Sequence, residues 1–329
     1  MDPLCPAPPH PAYFDSTLRA WVLSRHADVI AALHEPALRQ ESARQESGPG
    51  KASEKPPNVR AKVLEALSPA KLRQWQQAPW QAMEKSACQI IATLPANGRV
   101  DLLADVIRPW TLDLAILTLR DGSAHRRRLQ RLARNRSAGK SRLRSKLANL
   151  EFEFFFRGRP GDKSAFIGVS ETLPAFLANA WVALLRHPDE FARLRSHPET
   201  IPAAIEEFLR YGGLVHSLVR VAASGVELAG VRIASGDKVI LKLASANRDP
   251  EQFPDSDRLD VARCPAGHLS LGHGEHSCVG ALMLRAASAT LTRALVTRFA
   301  GARIEGEIEW RWGGALVSPA SLPAVLISH

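Results

Sequence analysis

The stretch Leu271-Gly272-His273-Gly274-Glu275-His276-Ser277-Cys278-Val279-Gly280 sets one cysteine in a bed of glycines. Without a Cβ, glycine lets the chain fold tightly under something flat and approach it closely. A thiolate is a one-point anchor for a metal or a cofactor iron. An apolar helix is expected from Leu282 to Phe299, and its first amides, aimed back at the sulfur, favour negative charge there. A chain with this element must fold around whatever the sulfur holds.

The 329 residues suffice for one large domain or two ordinary ones, and the 45% apolar content is ordinary for a globular protein. No run of 18 or more apolar residues occurs, so no membrane association is expected. Residues 1–12 are proline-rich without a basic start, which argues against a secretory signal. Cys5, Cys88, Cys264 and Cys278 are scattered and suit a reducing, cytoplasmic compartment. The net charge of +10 is local: ten Lys or Arg and no acid lie between Arg126 and Lys146. That segment reads either as a solvated helix or arm, or as a docking patch for an acidic partner or anionic substrate. Without aromatic interleaving or a known module, nucleic acid is not expected.

Hydrophobic patterning places a hairpin over 11–24, a helix from His26 to Leu33, a loop over 41–57 and a helix over Arg60–Leu67. Ser68-Pro69 opens a helix running to Leu94, and Asp101–Leu119 is an apolar helix interrupted by Pro109. Phe166–Leu185 is apolar nearly all round, with Pro174 inside it. Helices follow at Asp189–His197 and Ile201–Tyr211, then alternating β pattern from Val219 to Leu243, a long loop over 248–270 and a β-rich tail over 303–328.

Glu207-Phe208-Leu209-Arg210 puts a carboxylate and a guanidinium one turn apart, Arg258 lies in the loop before the cysteine, and Cys278 follows. In this order, with Leu184-Leu185-Arg186-His187-Pro188 and Ala244-Ser245-Ala246-Asn247-Arg248-Asp249-Pro250, the stretch Asn179–Ala281 resembles the bacterial soluble cytochromes P450. The resemblance implies a mainly α fold with a smaller β-rich subdomain, a single domain over 1–329 around one heme b (iron protoporphyrin IX). It implies Cys278 as the proximal iron ligand, its electron donation favouring O–O cleavage, with Leu271, Gly272 and Gly280 against the cofactor. It makes Glu207, Arg210 and Arg258 a buried ion network, and places His276, Arg220 and Arg60 where the family pairs the heme propionates. Glu171-Thr172 falls on the family's acid–threonine pair, which would relay protons to bound oxygen. Leu173, Leu214, Val215 and His216 would line the substrate pocket. The activity implied is insertion of one oxygen atom from O2 into a small organic substrate. Electrons would come from a ferredoxin/ferredoxin reductase-type donor, with Arg285 and Lys62 helping to dock it.

Several departures from the family pattern open alternatives. Val169 stands where glycine is usual and should hinder opening of the helix around oxygen; Pro174, lacking an N–H for the Ser170 carbonyl, is expected to distort the helix there instead. Leu271 replaces a phenylalanine, and Pro56 a histidine before Arg60. The lid is short, with the atypical basic segment of 121–163 in its place. A second reading is therefore a heme-binding protein of the same fold with lost or altered oxygen chemistry. The basic segment could dock an acidic carrier protein presenting the substrate, or a dimer could complete the pocket. From spacing alone, Cys264, His268, His273, His276 and Cys278 could also seat zinc.

Overall fold

The computed structural model describes residues 2–40, 79–119, 122, 124–137, 142–274, 277–313 and 316–328. The expectations for 41–57, Arg60–Leu67 and Ser68-Pro69, and for Lys62, Arg60 and His276, lie outside them. The chain divides into two units: one of 1–55, 178–278 and 306–320, the other of 56–177, 279–305 and 321–329. The second unit is mainly helical, and the larger sheet belongs to the first.

In the first unit, β1 (Tyr13–Asp15) and β2 (Ala20–Leu23) form the expected hairpin. Asp15 Oδ1 accepts the Thr17 and Leu18 N–H groups at 2.9 Å to hold the turn. β2 runs parallel to β8 (Lys238–Leu241), which pairs antiparallel with β5 (Leu218–Ala222), and β5 with β3 (Leu38–Gln40). Leu23, Val239 and Leu241 from these strands bury against Val29 and Leu33 of α1 (His26–His34) and against Leu269 beside the cysteine loop. One face of the sheet thus backs the loop of interest.

In the second unit, β4 (Gly98–Asp101), β12 (Pro323–Ile327) and β9 (Gly301–Ile304) form an antiparallel sheet with β12 central. Met83, Ala87 and Ile91 recur at helical spacing on α2 (Pro79–Ala92) and are buried, and α2 lies against the helix Ala281–Arg298. The expected helix over Asp101–Leu119 is a π-helical stretch, Leu102–Ile107, leading into α3 (Arg108–Leu117) with Pro109 at its start. α4 (Arg126–Ser137) and α5 (Arg142–Phe155) pack as a hairpin. α6 (Pro160–Ile167) continues through a π stretch, Gly168–Thr172, into α7 (Leu173–Leu185) with Pro174 as its second residue.

The two π stretches share a cause. Proline supplies no N–H, so at position 174 neither Ser170 (i−4) nor Val169 (i−5) receives a bond from the ring nitrogen. A slip from i−4 to i−5 pairing costs least where one bond is already missing. The Leu173 N–H accordingly donates to the Gly168 carbonyl, five residues back. The distortion expected beside Thr172 is present. Pro160–Leu185 is long and apolar enough to cross a membrane by composition, but 67% of its most apolar window is buried inside the protein, as befits a core helix.

α8 (Pro188–Ser196) and α9 (Ile201–Gly212) then lead into β5, and α10 (Leu243–Ala246) and α11 (Ala281–Arg298) flank the long loop that carries the cysteine.

Candidate functional site

The cysteine loop is closed by its own backbone. The Cys278 N–H donates to the Leu271 carbonyl at 2.7 Å, Ser277 to Gly274 at 3.1 Å and Gly272 to Leu269 at 2.9 Å. Gly272 and Gly274 have φ of 70° and 59°, a left-handed conformation in which a Cβ would clash. Asn247 locks the base: its Oδ1 accepts the Leu269 N–H at 2.7 Å and its Nδ2 donates to Ser270 Oγ at 2.8 Å. Ser270 Oγ donates to the Leu209 carbonyl of α9 at 2.5 Å. Gly213 permits this approach, since a Cβ there would sit 2.3 Å from Ser270 Oγ. These bonds tie down both ends of the loop, and Cys278 is exposed as a free thiol.

Behind the loop lies the buried ion network. Arg210 meets Glu207 through two bonds of 2.8 Å and donates to the carbonyls of Asn247, Ser256 and Arg258 at 2.9, 2.8 and 3.2 Å. Glu207 and Arg210 are 0% and 1% exposed, so every donor must be answered inside the protein. Here the expectation for Arg258 needs correction. The turn from Asp255 to Arg258, closed by the Arg258 N–H on the Asp255 carbonyl, leaves the Arg258 side chain exposed; only its carbonyl joins. The second guanidinium arrives five residues later, from Arg263, whose Nε reaches Glu207 Oε1 at 3.3 Å, while the Asp260 N–H donates to the same oxygen at 3.0 Å. Arg263 went unnoticed because its role depends on where the loop returns; the recurrence of an arginine at the loop's end was the available signal.

Two neighbours in the chain also act here. Arg248 lies 3.8 Å above the Tyr211 ring and donates to the Leu4 and Tyr211 carbonyls at 2.7 and 3.0 Å. Asp249 Oδ2 accepts the His26 N–H at 2.8 Å. Asn247-Arg248-Asp249 therefore ties the loop to α9, the N-terminus and α1.

Arg220 lies on β5 and is 4% exposed. Its side chain donates to the Val219 carbonyl at 3.1 Å, and among the described residues no carboxylate meets it. Burial lowers its pKa from the usual guanidinium value. Such a cation calls for an anion. An exposed thiol on a glycine-cradled loop suits an iron, and a buried unpaired guanidinium suits a heme propionate, so the residues present fit heme b.

Leu214, Val215 and His216 follow α9, and Val215 bridges to Leu316 of the hairpin Trp310–Gly313/Leu316–Pro319. His216 stacks edge-on to Trp312 at 5.8 Å. Burial, followed by the Lys242 charge, lowers its pKa to about 4. It is therefore a neutral imidazole at pH 7. Its pKa is depressed relative to the ordinary 6.5, so the unfolded chain binds the extra proton and stability falls as pH drops from 6.5 toward 4. His216→Phe is expected to flatten that part of a melting-temperature profile, measured from pH 7 to 4; an unchanged slope would contradict the assignment.

Glu171 and Thr172 lie in the π stretch of the second unit, Glu171 exposed and Thr172 half-buried, with Val169 and Leu173 buried beside them. Two residues of the alternative zinc cluster are otherwise engaged: His268 Nε2 meets Glu206 Oε2 at 3.0 Å and His273 Nδ1 meets His34 Nε2 at 3.0 Å. Among the described residues no group of three metal-binding side chains occurs.

Comparison with known proteins agrees with this geometry. The family model for cytochrome P450 matches residues 190–302. Cytochrome P450 CYP199A2 of Rhodopseudomonas palustris is 41% identical over 150 residues, 46% of this chain and 36% of that protein, so the match spans little more than a third of the relative's length. The structure of CYP109Q5 from Chondromyces apiculatus superposes with a TM-score of 0.81 at 22% identity, over 97% of this chain and 93% of the other. P450BioI, solved in complex with an acyl carrier protein bearing hexadec-9Z-enoic acid, superposes with a TM-score of 0.80 at 21% identity, over 96% and 95% of the two chains.

Proposed function

We propose a cytoplasmic heme-thiolate monooxygenase of the cytochrome P450 kind, a reading supported by the match of residues 190–302 to that family's model and by the similar fold along the chain. It would insert one atom of O2 into a small organic substrate, reducing the other to water with two electrons and two protons. The observation that carries this reading is the exposed Cys278 thiol, with its N–H on the Leu271 carbonyl and the left-handed Gly272 and Gly274 before it.

Heme b, when bound, supplies the iron at which O2 is reduced. The chain's own residues do the rest. Cys278 would hold the iron, and Leu271, Gly272 and Gly280 would help to bind the cofactor. Arg220, buried and without a carboxylate partner among the described residues, would pair a heme propionate. Glu171, exposed to water, takes up protons, and the Thr172 hydroxyl passes them toward the oxygen side. The π stretch supports that role, since it loosens the backbone at Thr172 despite the bulk of Val169. Leu214 and Val215 supply an apolar wall, and His216, neutral at pH 7, orients a substrate by hydrogen bonding rather than by charge; Leu173 is the buried apolar neighbour of the relay pair. Electrons come from a ferredoxin/ferredoxin reductase-type donor, docked in part by Arg285. A substrate carried on an acidic carrier protein agrees with the basic segment and with the P450BioI complex. Dimerisation remains the alternative way to complete a shortened lid.

The second reading, a heme protein of altered oxygen chemistry, draws on the buried Val169 at the π stretch. Turnover of a substrate panel with a generic ferredoxin system separates the two. Loss of one proton-relay group lowers rates by roughly 10²–10⁴-fold. Thr172→Ala should therefore cut product formation by about that factor and raise uncoupled peroxide. Equal product from both proteins, or none from either alongside a normal thiolate spectrum, would favour the second reading.

A further inference from the structure

The helix α5 is apolar on two opposite faces. Ala148, Phe152 and Phe155 face inward and are buried. Leu143, Leu147, Leu150 and Phe154 are 67%, 58%, 67% and 69% exposed. These four recur at i, i+4, i+7 and i+11, the 3–4 spacing of a coiled-coil seam. Four large apolar side chains in one exposed row are not expected on a surface that meets only water.

The surrounding charge narrows the choice of occupant. Ten cations and no acid lie between 126 and 146. The carboxylates near the hairpin are already taken: Glu151 by Arg128 and Arg131, Glu153 by Lys163, Asp113 by Arg126 and Gln130. Among the described residues no carboxylate pairs with Arg127, Arg134 or Lys146, all exposed. A second copy would bring two such basic hairpins together. Four side chains also cover far less than the roughly 800 Å² per partner of a stable dimer. A membrane favours a broad apolar face, whereas this row is one side chain wide because the other face of α5 is used inside the protein. A row at heptad spacing suits a helix laid along it.

We propose that the outer face of α5 is a docking site for an acidic protein presenting an amphipathic helix, whose apolar row meets Leu143, Leu147, Leu150 and Phe154 while its carboxylates meet Arg127, Arg134 and Lys146. This deepens the carrier-protein reading by naming the surface and the chemistry it selects. Its test reads binding rather than turnover, so it fails or holds independently of the monooxygenase reading.

The probe is a fluorescein-labelled four-heptad peptide with Leu at a and d and Glu at e and g. A control peptide carries Lys at e and g. Each is titrated with the heme-loaded full chain by fluorescence anisotropy. The acidic peptide is expected to bind and the basic one not. Raising salt from about 0.05 to 0.5 M should weaken binding by about tenfold or more, because the contacts are exposed ion pairs. Leu147→Glu with Leu150→Glu should abolish binding, and Arg134→Glu with Lys146→Glu should weaken it about tenfold through charge alone. These positions are exposed, so circular dichroism melting should be unchanged; the charge pair serves if the leucine pair misfolds. Equal binding of both peptides, no binding of the acidic one, or indifference to both double variants overturns the proposal. So does a sedimenting dimer, or co-flotation with anionic vesicles, that the leucine variant abolishes, since a second copy or a membrane then covers the face.

Discussion

Glu207→Ala is expected to remove about 3–5 kcal/mol of stability, the range for breaking a buried ion pair by deleting one partner. The magnitude follows from what is left behind. Arg210, 1% exposed, would keep its charge and its carbonyl partners but lose both 2.8 Å bonds to the carboxylate. The Asp260 N–H and Arg263 Nε would lose their acceptor as well. Against a total that is commonly 5–15 kcal/mol, such a loss takes a large share of the protein's stability. At roughly 2–4 °C per kcal/mol, the melting temperature should fall by on the order of 10 °C, read by circular dichroism of the heme-loaded protein. Arg258→Ala should do almost nothing by comparison, because its contribution is a carbonyl and its side chain is exposed. Arg263→Ala should fall between them. Equal losses for Arg258→Ala and Arg263→Ala would contradict the network as drawn.

Cys278→Ser should leave the fold intact and abolish the sulfur-ligated cofactor spectrum. The loop closes through the backbone of residue 278 and through Asn247 and Ser270, none of which needs the sulfur. The exposed Cys278 side chain therefore contributes little to packing. The serine hydroxyl stays protonated at neutral pH and cannot stand in for a thiolate. The apo melting temperature should move by less than about 2 °C, the usual range for a surface substitution, while heme per chain drops and the resting Soret band shifts. Cys88→Ser and Cys264→Ser should change neither. A Cys278→Ser protein with unchanged heme content and band position would place the iron elsewhere.

Local signals carried most of the site. The glycine-flanked cysteine and the Glu207–Arg210 pair are read within one turn or loop, so their geometry followed from spacing. The hairpin at 11–24 and the helix after His26 followed in the same way, from alternation and helical period. What spacing could not settle was the direction of side chains in an irregular loop: a turn with Asp255 at φ 50° sends Arg258 outward and lets Arg263 take its place. Nor could it settle contacts between distant residues, such as Asn247 with Leu269 and Ser270, whose partners lie more than twenty positions away. Pro174 announced a broken ladder, but proline equally permits a kink, and the wider π pairing emerged only from the Leu173 bond to Gly168. The outer row of α5 was hidden for another reason: it begins inside the basic segment, where charge masks an apolar period.

Ligation of iron by the sulfur of Cys278 is most directly tested by the optical spectrum of the heme-loaded, dithionite-reduced protein under carbon monoxide. The account predicts the red-shifted Soret band of a thiolate-bound carbonyl adduct, absent in Cys278→Ser. A band at the position given by histidine-ligated hemes, unaltered in that variant, would contradict it.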